Sequence, residues 1–555
     1  MTLPGLFSET VRNFGQRPAL SLVGKTPITY HELEEKISLV IRQLEALGIQ
    51  KSDKVAILAT SSPNWAICYY AITFMGAVAV PILPDFHEME IENIIIHSET
   101  KALFYSSGLK AKITPSLEEI VPNRILLEDL AVNEVAKTSQ GREPGDFLKR
   151  YDVRENDLAA IIYTSGTTGK SKGVMLTHKN ICFTALKGSK IIPIYDTDRF
   201  LSVLPLSHSY ENTVGLILPM INGACVYYLV GLPTPAILLP ALQEVKPTFM
   251  LTVPMIIEKI YRNKIKPAFT EKRIVRILYS IPPFRKLLNR VAGKKLMETF
   301  GGELRFFGIG GAKLSSTIEE FLIEAKFPYA IGYGLTETSP LLAGCNPNST
   351  RLQSTGPALE EVTLKIHNPD PKTGEGEIWA KGPNVMLGYY KEPEMTAEMI
   401  TPDGWLKTGD LGIFDKDGYL FIQGRKKNTI LGSGGENIYP EEIESVINNF
   451  KHVAESLVIE QKGKLVALVH FNKAEIEEKY LHMKQEVTAY VEHKIEELKI
   501  ELKEYINSRV NKFSKVQSVV NQPEPFKKTP TQKIKRFLYN PAPTANNPVS
   551  GSDRR

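Results

Sequence analysis

The feature that most constrains the fold is an alternation of helical and strand patterns near the start of the chain. Apolar residues recur at helical spacing over 30–47 and over 65–75, and a glycine ends each segment. Short apolar runs at 54–59 and 77–80 are typical of buried strands. Strands separated by helices form parallel sheets covered on both faces, so the sequence predicts an α/β fold whose large N-terminal domain is layered, with mainly parallel sheets.

The length and composition favour a protein with several hydrophobic cores, and its cysteines favour a reducing compartment. The 555 residues are 43% hydrophobic and 23% charged, which is a globular composition. The four cysteines are scattered without a C-x-x-C pair, which favours buried thiols over disulfides or a zinc site. The first residues show no charged segment followed by an apolar run, so no signal peptide is predicted and a cytoplasmic location is expected.

Residues 158–178 combine an apolar strand, a loop of small residues and a second apolar strand. The loop offers hydroxyl and backbone N–H groups, its glycines let the backbone close on an anion, and Lys170 and Lys172 add positive charge. This layout predicts a phosphate cradle for a nucleoside triphosphate, and a plain turn is the alternative. The cradle residues are Thr164, Ser165, Gly166, Thr167, Thr168 and Gly169.

Residues 164–171 also approach the P-loop pattern of kinases and GTPases. Thr164 stands where the first glycine of that pattern belongs. A P-loop opens a helix, whereas the segment that starts at Gly173 is short and apolar. We therefore expect a hairpin with an antiparallel return strand, and we favour it over the P-loop interpretation.

Two segments suggest contact with lipid. No residue between Glu211 and Glu244 is charged, but prolines interrupt the run, so a core helix plus a buried strand is predicted rather than a membrane span. Residues 259–295 contain 12 basic residues against one acid, interleaved with apolar side chains. This pattern predicts an amphipathic face for the inner surface of a membrane; a solvated helical face is an equal alternative, and nucleic acid is not expected.

Further motifs lie downstream of the loop. Glycines at the end of a strand, as at 308–311, permit close approach to a flat base, a tyrosine can stack on the base, and a carboxylate can hold a divalent cation. The alternatives to a functional site are that His208 is a structural histidine, as a lone histidine more often is, and that the glycines form ordinary turns. The motifs are P-L-S-H-S-Y-E-N around His208, F-F-G-I-G-G-A ending at Ala312, Y-G-L-T-E-T-S-P from Tyr333, T-G-D ending at Asp410, G-R-K-K at 424–427 and K-K-T-P-T-Q-K ending at Lys533.

The loop at 163–173 resembles the phosphate loop of the adenylate-forming superfamily, which comprises acyl-CoA synthetases, firefly luciferases and peptide-synthetase adenylation domains. Ser171 replaces the usual proline. The other motifs follow in the superfamily's order and span most of the chain. The S-H-S-Y-E version around His208 is most similar to long-chain fatty acyl-CoA synthetases.

The resemblance implies a role for each motif residue. His208 would be a catalytic residue that lies between the nucleotide and the carboxylate substrate, and Thr336 would approach the α-phosphate. Glu337 would ligate Mg²⁺ together with Thr164 and count among the catalytic residues. Around the nucleotide, Tyr333 would stack on adenine, Asp410 would bind the ribose hydroxyls and Arg425 would support it. The remaining nucleotide-binding positions would be Gly310, Gly311, Ala312 and Gly334.

The resemblance also implies a division of the chain. Residues 1–424 would form the ATP- and acyl-binding N-terminal domain, and residues 425–540 a small mobile α+β C-terminal domain with its hinge at Lys427. Lys533 would be the catalytic lysine, preceded here by Gln532 where glycine is frequent. Gly434 and Gly435 would form the loop beside the pantetheine arm of coenzyme A. The composition of residues 541–555 predicts a disordered tail.

The implied function is ATP-dependent activation of a long-chain fatty acid to acyl-AMP, with release of diphosphate, followed by transfer to the thiol of coenzyme A. ATP, Mg²⁺ and coenzyme A would be required. Two alternatives stay open: delivery of the acyl group to a carrier protein, or release of acyl-AMP. A non-catalytic lipid-binding protein is a third alternative, and a homodimer is left open.

Overall fold

The computed structural model describes residues 1–130, 150–164, 171–431, 437–461, 463–480, 487–529 and 533–540. The chain divides into two compact units, Met1–Gln423 and Gly424–Arg555.

Two seven-stranded sheets and a four-stranded sheet organise the first unit. The strands in chain order are β1 (Pro18–Leu22), β2 (Ile28–Thr29), β3 (Lys54–Leu58), β4 (Val78–Ile82), β5 (Thr100–Tyr105), β6 (Asn123–Leu126), β7 (Leu158–Thr164), β8 (Lys172–Thr177), β9 (Arg199–Ser202), β10 (Cys225–Tyr228), β11 (Phe249–Thr252), β12 (Phe306–Ile309), β13 (Tyr329–Ile331), β14 (Thr363–His367), β15 (Gly376–Lys381), β16 (Gly388–Tyr389), β17 (Leu406–Phe414) and β18 (Leu420–Arg425).

The pairing of these strands is mainly parallel in both seven-stranded sheets. The first sheet has the order β13-β12-β11-β9-β10-β1-β2 and is antiparallel only between β1 and β2. The second has the order β16-β8-β7-β4-β3-β5-β6 and is antiparallel at β16–β8 and β8–β7. The predicted α/β class with parallel-rich sheets is therefore confirmed.

Helices cover these sheets and fill the space between them. The α-helices of the first unit are Leu3–Phe14, Tyr30–Ala46, Pro63–Phe74, Glu88–Ser98, Pro115–Ile120, His178–Gly188, Leu218–Ile221, Pro235–Val245, Pro254–Ile260, Lys266–Thr270, Arg273–Tyr279, Pro282–Thr299, Ser316–Ala325 and Pro393–Met399. The described part of this unit also contains two π-helical turns, at Glu211–Ile217 and Tyr261–Ile265.

The main core lies between the two seven-stranded sheets. Helix Pro63–Phe74 begins at Ser62, whose side chain caps the amide of Trp65 at 3.2 Å, and ten of its residues are buried. The cluster around it joins Leu20 of the first sheet to Ile57 of the second. A helix that is apolar on all sides is buried on all sides, which explains its place between the layers. All four cysteines are free and buried, as predicted.

The hairpin of β7 and β8 confirms the predicted return strand. The two strands are antiparallel, with Thr164 opposite Lys172 and Tyr163 opposite Gly173. A Cβ atom at Gly173 would lie 2.8 Å from Cγ2 of Ile161, so only glycine fits there without a shift. The predicted cradle residues at 165–169, with Lys170, fall outside the described residues.

The uncharged stretch between 211 and 244 is mainly buried as helix and strand up to Leu229, and the residues at 230–236 are exposed. It contains the first π-helical turn, the helix Leu218–Ile221 and the buried strand β10. None of the helices in the described ranges combines the length and the apolarity that crossing a bilayer requires.

The second unit has α+β character. Its strands are β19 (Ile430–Leu431), β20 (Asn437–Ile438), β21 (Val453–Gln461), β22 (Lys464–Phe471) and β23 (Ser518–Asn521), and its α-helices are Pro440–Ile447, Lys473–Tyr480 and Val487–Asn507. β22 pairs antiparallel with β21 and parallel with β23, over a core that includes Ile443 and Leu498. Gly434, Gly435 and the tail at 541–555 fall outside the described residues.

Candidate active site

Three of the predicted motifs follow neighbouring strands of the first sheet. His208 comes after β9, Gly310 directly after β12 and Tyr333 after β13. Strands β9, β11, β12 and β13 are parallel neighbours, so their carboxyl ends lie at one edge of the sheet. Ligands of open α/β sheets bind at this edge, which makes it the candidate active site.

Tyr333 and Asp410 meet at this edge although 77 residues separate them. The Tyr333 hydroxyl donates a hydrogen bond of 2.8 Å to Oδ2 of Asp410, and both side chains are buried. The residue expected to stack on the base thus contacts the residue expected to bind the ribose. A charged acceptor strengthens such a hydrogen bond, and it orients both groups.

The motif around His208 approaches the turn at Thr336. The Ser209 hydroxyl donates to Oγ1 of Thr336 at 3.4 Å, and Ser209 is fully buried. His208 is half-buried, and its Nδ1 accepts from the amide of Tyr210 at 3.3 Å. The contact brings together two motifs that are 127 residues apart.

Glu337 is held by a tyrosine that no sequence motif singles out. The Tyr389 hydroxyl donates to Oε1 of Glu337 at 2.8 Å, and the Glu337 carbonyl accepts from the amide of Met386 at 2.9 Å. Tyr389 belongs to β16, which pairs with β8. The Lys172 ammonium lies 5.1 Å from the centroid of the Tyr389 ring, which is within cation–π range. Tyr389 therefore links Glu337 to the hairpin of the phosphate loop.

Two motif glycines lie where a side chain would come too close to neighbouring groups of the protein. A Cβ atom at Gly310 would lie 3.2 Å from the ring of Tyr210, and one at Gly334 would lie 1.6 Å from the Pro340 carbonyl oxygen. Gly311 has a φ of +83°, which favours glycine, and Ala312 follows it. Their contact with a base stays a prediction.

An apolar cavity of about 50 Å³ adjoins the polar residues. Tyr210 and Gly332 line it, and they are the sequence neighbours of Ser209 and Tyr333. Its wall otherwise consists of aliphatic, aromatic and small residues, including Ile191, Ile194, Phe200, Val214, Phe249, Leu251, Gly308, Leu341 and Gly344. An apolar wall of this kind suits a hydrocarbon chain.

Glu211 is a buried carboxyl group at the start of the first π-helical turn. It is 1% exposed, and burial raises its pKa to about 8. Within the described part of the chain, its Oε2 has no hydrogen-bond partner. Gly215 makes room for it, since a Cβ atom there would lie 2.6 Å from the Glu211 carboxyl carbon. Sequence reasoning did not select Glu211, and its single signal was its place in the S-H-S-Y-E motif.

Three predicted residues belong to the second unit. Arg425 ends β18, and Lys427 is exposed on the short 3₁₀ turn Lys426–Asn428. Lys533 is exposed; its amide donates to Oγ1 of Thr529 at 3.2 Å, and its carbonyl accepts from the Thr529 amide at 2.7 Å. Their roles stay predictions.

The oxygen donors at Glu337 and Thr164 have the chemistry that Mg²⁺ requires. In the described ranges there is no cluster of three or more His, Cys, Asp or Glu side chains that could hold a metal by itself. Mg²⁺ in nucleotide sites is held by one or two carboxylates together with phosphate oxygens and water. A carboxylate and a hydroxyl of these kinds therefore fit a Mg²⁺ ion that arrives with a nucleotide.

The parallel sheets, the hairpin and the motifs at one sheet edge define the class. The chain belongs to the AMP-binding enzyme family, whose pattern matches residues 7–390. The predicted membership of the adenylate-forming superfamily is confirmed.

Individual relatives are similar over most of their length. Long-chain-fatty-acid–CoA ligase heimdall of Drosophila melanogaster is 27% identical over 506 residues, which cover 80% of this chain and 72% of that protein. The chloroplastic long-chain-fatty-acid–[acyl-carrier-protein] ligase AEE15 of Arabidopsis thaliana is 27% identical over an alignment of 564 residues, gaps included. The alignment covers 85% of this chain and 76% of that protein. The solved o-succinylbenzoate CoA synthetase MenE of Bacillus subtilis, in complex with its acyl-adenylate intermediate OSB-AMP, shares the fold with a TM-score of 0.75 and 24% identity over 97% of this chain and 98% of that one.

Proposed function

We propose that this protein is an AMP-forming long-chain fatty acid–CoA ligase. It activates a fatty acid with ATP to acyl-AMP and diphosphate, and then transfers the acyl group to coenzyme A. The observation that carries the proposal is that the apolar cavity adjoins the polar residues of the site. Tyr210 and Gly332 line the cavity, and their sequence neighbours Ser209 and Tyr333 belong to the polar edge. An acyl chain in the cavity would place its carboxylate at the polar edge.

The first step joins two anions. A carboxylate oxygen attacks the α-phosphorus of ATP, the bond from that phosphorus to the bridging oxygen breaks, and diphosphate leaves with the electron pair. Such a step needs positive charge and hydrogen-bond donors where negative charge grows. Lys172, the hydroxyls of Thr336 and Thr164 and the side chain of Lys533 would supply them. Bound Mg²⁺ would neutralise phosphate charge, held by Glu337 and Thr164.

The base and ribose would be fixed by the pair of Tyr333 and Asp410. The ring of Tyr333 offers a flat apolar face, and the carboxylate oxygens of Asp410 are acceptors suited to sugar hydroxyls. Gly310, Gly311 and Gly334 would border the base, and His208 would stand at the carboxylate. Arg425 would support the ribose contact.

In the second step the sulfur of coenzyme A attacks the acyl carbon, the bond from that carbon to AMP breaks, and the thiol gives up its proton. The second unit would turn about Lys427 between the steps, taking Lys533 away and bringing Gly434 and Gly435 beside the pantetheine arm. We propose residues 1–424 and 425–540 as the two bodies of this movement, and a cytoplasmic location for the enzyme.

A carrier protein is the second candidate acceptor. It is favoured by the similarity to a relative that is named as a ligase of long-chain fatty acids and acyl carrier protein. A non-catalytic lipid-binding protein would need no ATP-dependent chemistry.

One assay separates these functions. Carboxylate-dependent exchange of labelled diphosphate into ATP is measured over acids from acetate to long-chain acids, and release of AMP is then measured with coenzyme A or with carrier protein. We expect exchange with long-chain acids and AMP release with coenzyme A. AMP release with carrier protein alone would favour the second candidate, and the absence of exchange with every acid would refute the adenylation proposal.

A further inference from the structure

Six large hydrophobic side chains are exposed together on two consecutive helices. Helices Arg273–Tyr279 and Pro282–Thr299, with the residues between them, carry six of the 25 large hydrophobic residues that are exposed in the described part of the chain. Their exposed fractions range from 41% to 73%. These residues are Ile274, Ile277, Ile281, Phe284, Leu287 and Val291. We call them, with the cations around them, the basic apolar face.

The orientation of the longer helix is fixed by its inner side. Gly293 is packed so closely that a Cβ atom would lie 2.5 Å from the carbonyl oxygen of Ala325. The Arg285 guanidinium pairs with the Glu324 carboxylate at 2.6 Å on the same neighbouring helix. The buried residues Asn289, Gly293 and Leu296 define this inner side.

The exposed outer side of helix Pro282–Thr299 is apolar as well, so the helix has a second apolar side. Phe284, Leu287 and Val291 are spaced by three and four residues, so they lie in one row. At about 100° per residue, this row points roughly opposite to the buried set. A helix that packs on the rest of the protein through one side needs only that side to be apolar, so the exposed second one is available to an external apolar phase.

Most cations of the face lack an acidic partner at ion-pair distance among the residues that the structure describes. Residues 272–295 contain no acidic residue. Seven exposed cations make no ion pair with any other residue that the structure describes, namely Lys272, Arg273, Arg276, Lys286, Arg290, Lys294 and Lys295. Arg285 differs from them because it points to the inner side. Positive potential therefore surrounds the apolar row.

We propose that the basic apolar face docks in the plane of an anionic phospholipid bilayer. Apolar side chains would enter the boundary between headgroups and acyl chains, while lysine and arginine extend to the lipid phosphates. Both requirements, an apolar row and a surrounding positive charge, are met by the same two helices. Neither the sheets nor the site residues of the first unit take part.

Other occupants agree less well with the composition of the face. The cores of protein interfaces are depleted of lysine and other charges. A second copy that docked through the same face would bring like charges together. A solvated helical surface would carry polar residues at the six exposed apolar positions.

Co-sedimentation of the full chain with vesicles tests the proposal without ATP or fatty acid. Vesicles of phosphatidylcholine alone are compared with vesicles containing roughly one third phosphatidylserine, at low and high salt. We expect binding to the anionic vesicles that weakens with salt. The double variant Arg276→Gln/Arg290→Gln should bind about 25-fold more weakly, at about fivefold per cation. The double variant Phe284→Ser/Leu287→Ser should lose at least about tenfold.

The control is Ile500→Ser, which removes an equally exposed apolar side chain from the second unit. It should bind like the unchanged protein. The proposal is refuted if the unchanged protein does not sediment with anionic vesicles, or if the two double variants bind as it does. It is also refuted if light scattering shows a dimer that the Phe284 and Leu287 changes dissociate. Diphosphate exchange in the absence of vesicles, with the most soluble acid that the unchanged protein accepts, should be unaltered in every variant, so loss of docking is distinguishable from failure of the proposed activity.

Discussion

At the scale of single residues, the contact between Tyr389 and Glu337 connects two parts of the proposed chemistry. Oε1 of Glu337 accepts a hydrogen bond of 2.8 Å from the tyrosine hydroxyl, and under the proposed function the carboxylate would also hold Mg²⁺. A group that orients a metal-binding carboxylate contributes to affinity and activity although it does not touch the metal.

Replacement of Tyr389 by phenylalanine should therefore weaken adenylation. We expect a loss of about 10- to 100-fold in diphosphate exchange and a higher Mg²⁺ requirement, because Glu337 loses its orienting donor. The matched control is Tyr390→Phe, whose hydroxyl contacts Glu99 at 3.0 Å instead. Equal behaviour of the two variants, with an unaltered Mg²⁺ titration, would contradict this role.

Glu211 gives a prediction about pH and stability. Its folded pKa of about 8 lies above the ordinary value of 4.5, so the folded state binds its proton more tightly than the unfolded state does. This contribution to stability is complete below about pH 4.5 and is lost as the pH rises through about 8. It amounts to a few kcal/mol, at about 1.4 kcal/mol per pKa unit.

The variant Glu211→Gln should lose this pH dependence. Denaturant midpoints of the two proteins are compared between about pH 5 and about pH 9, and the variant should become relatively more stable with rising pH. Glu244→Gln, at an exposed position, serves as the control. Parallel stability curves for Glu211→Gln and the unchanged protein would show that Glu211 is not held neutral.

At the scale of elements, the cavity predicts acyl-chain selectivity. A Cβ atom at Gly344 would lie 3.0 Å from Cδ1 of Ile191, so a larger side chain there would take space from the cavity. In Gly344→Val we expect kcat/KM for long-chain acids to fall at least about tenfold, while short acids are less affected. Gly108→Val is the control, since nothing lies within 4 Å of a Cβ atom there. A uniform loss for all chain lengths would contradict the assignment.

Local patterns predicted individual elements well. The pattern at 65–75 corresponds to helix Pro63–Phe74, because Ser62 caps it and Pro63 starts it. The strand expected at 77–80 is β4, Val78–Ile82, which continues through Pro81 because β3 stays alongside with Ile57 opposite the proline. These elements depend on nearby residues, and their sequence signals are local.

Contacts between residues that are far apart in the chain could not be predicted from the sequence. The motifs identified Glu337 and Tyr333 one by one, but the partner of Glu337 is Tyr389, 52 residues away, on a two-residue strand without a signature. Glu211 was missed for the same reason: its burial results from tertiary packing, which the pattern of neighbouring residues does not encode. The sequence motifs identified candidate functional residues, and tertiary packing determined which residues they contact.

At the scale of the whole molecule, the chain has two compact units, and Lys533 belongs to the second. The proposed division of labour predicts that Lys533→Ala abolishes adenylation, by about 100-fold or more, and spares thioester formation from supplied acyl-AMP. Lys535→Ala, two residues along the chain, is the matched control and should retain both half reactions. Equal loss of both half reactions in Lys533→Ala would contradict the division.

The central claim is that the carboxylate attacks the α-phosphorus of ATP. A long-chain acid with ¹⁸O in both carboxylate oxygens tests it directly when AMP and diphosphate from one turnover are analysed by mass spectrometry. The account predicts one ¹⁸O atom in AMP and none in diphosphate, because the attacking oxygen stays on the phosphorus when the thiol displaces AMP. Label in diphosphate or inorganic phosphate, or unlabelled AMP, would contradict it.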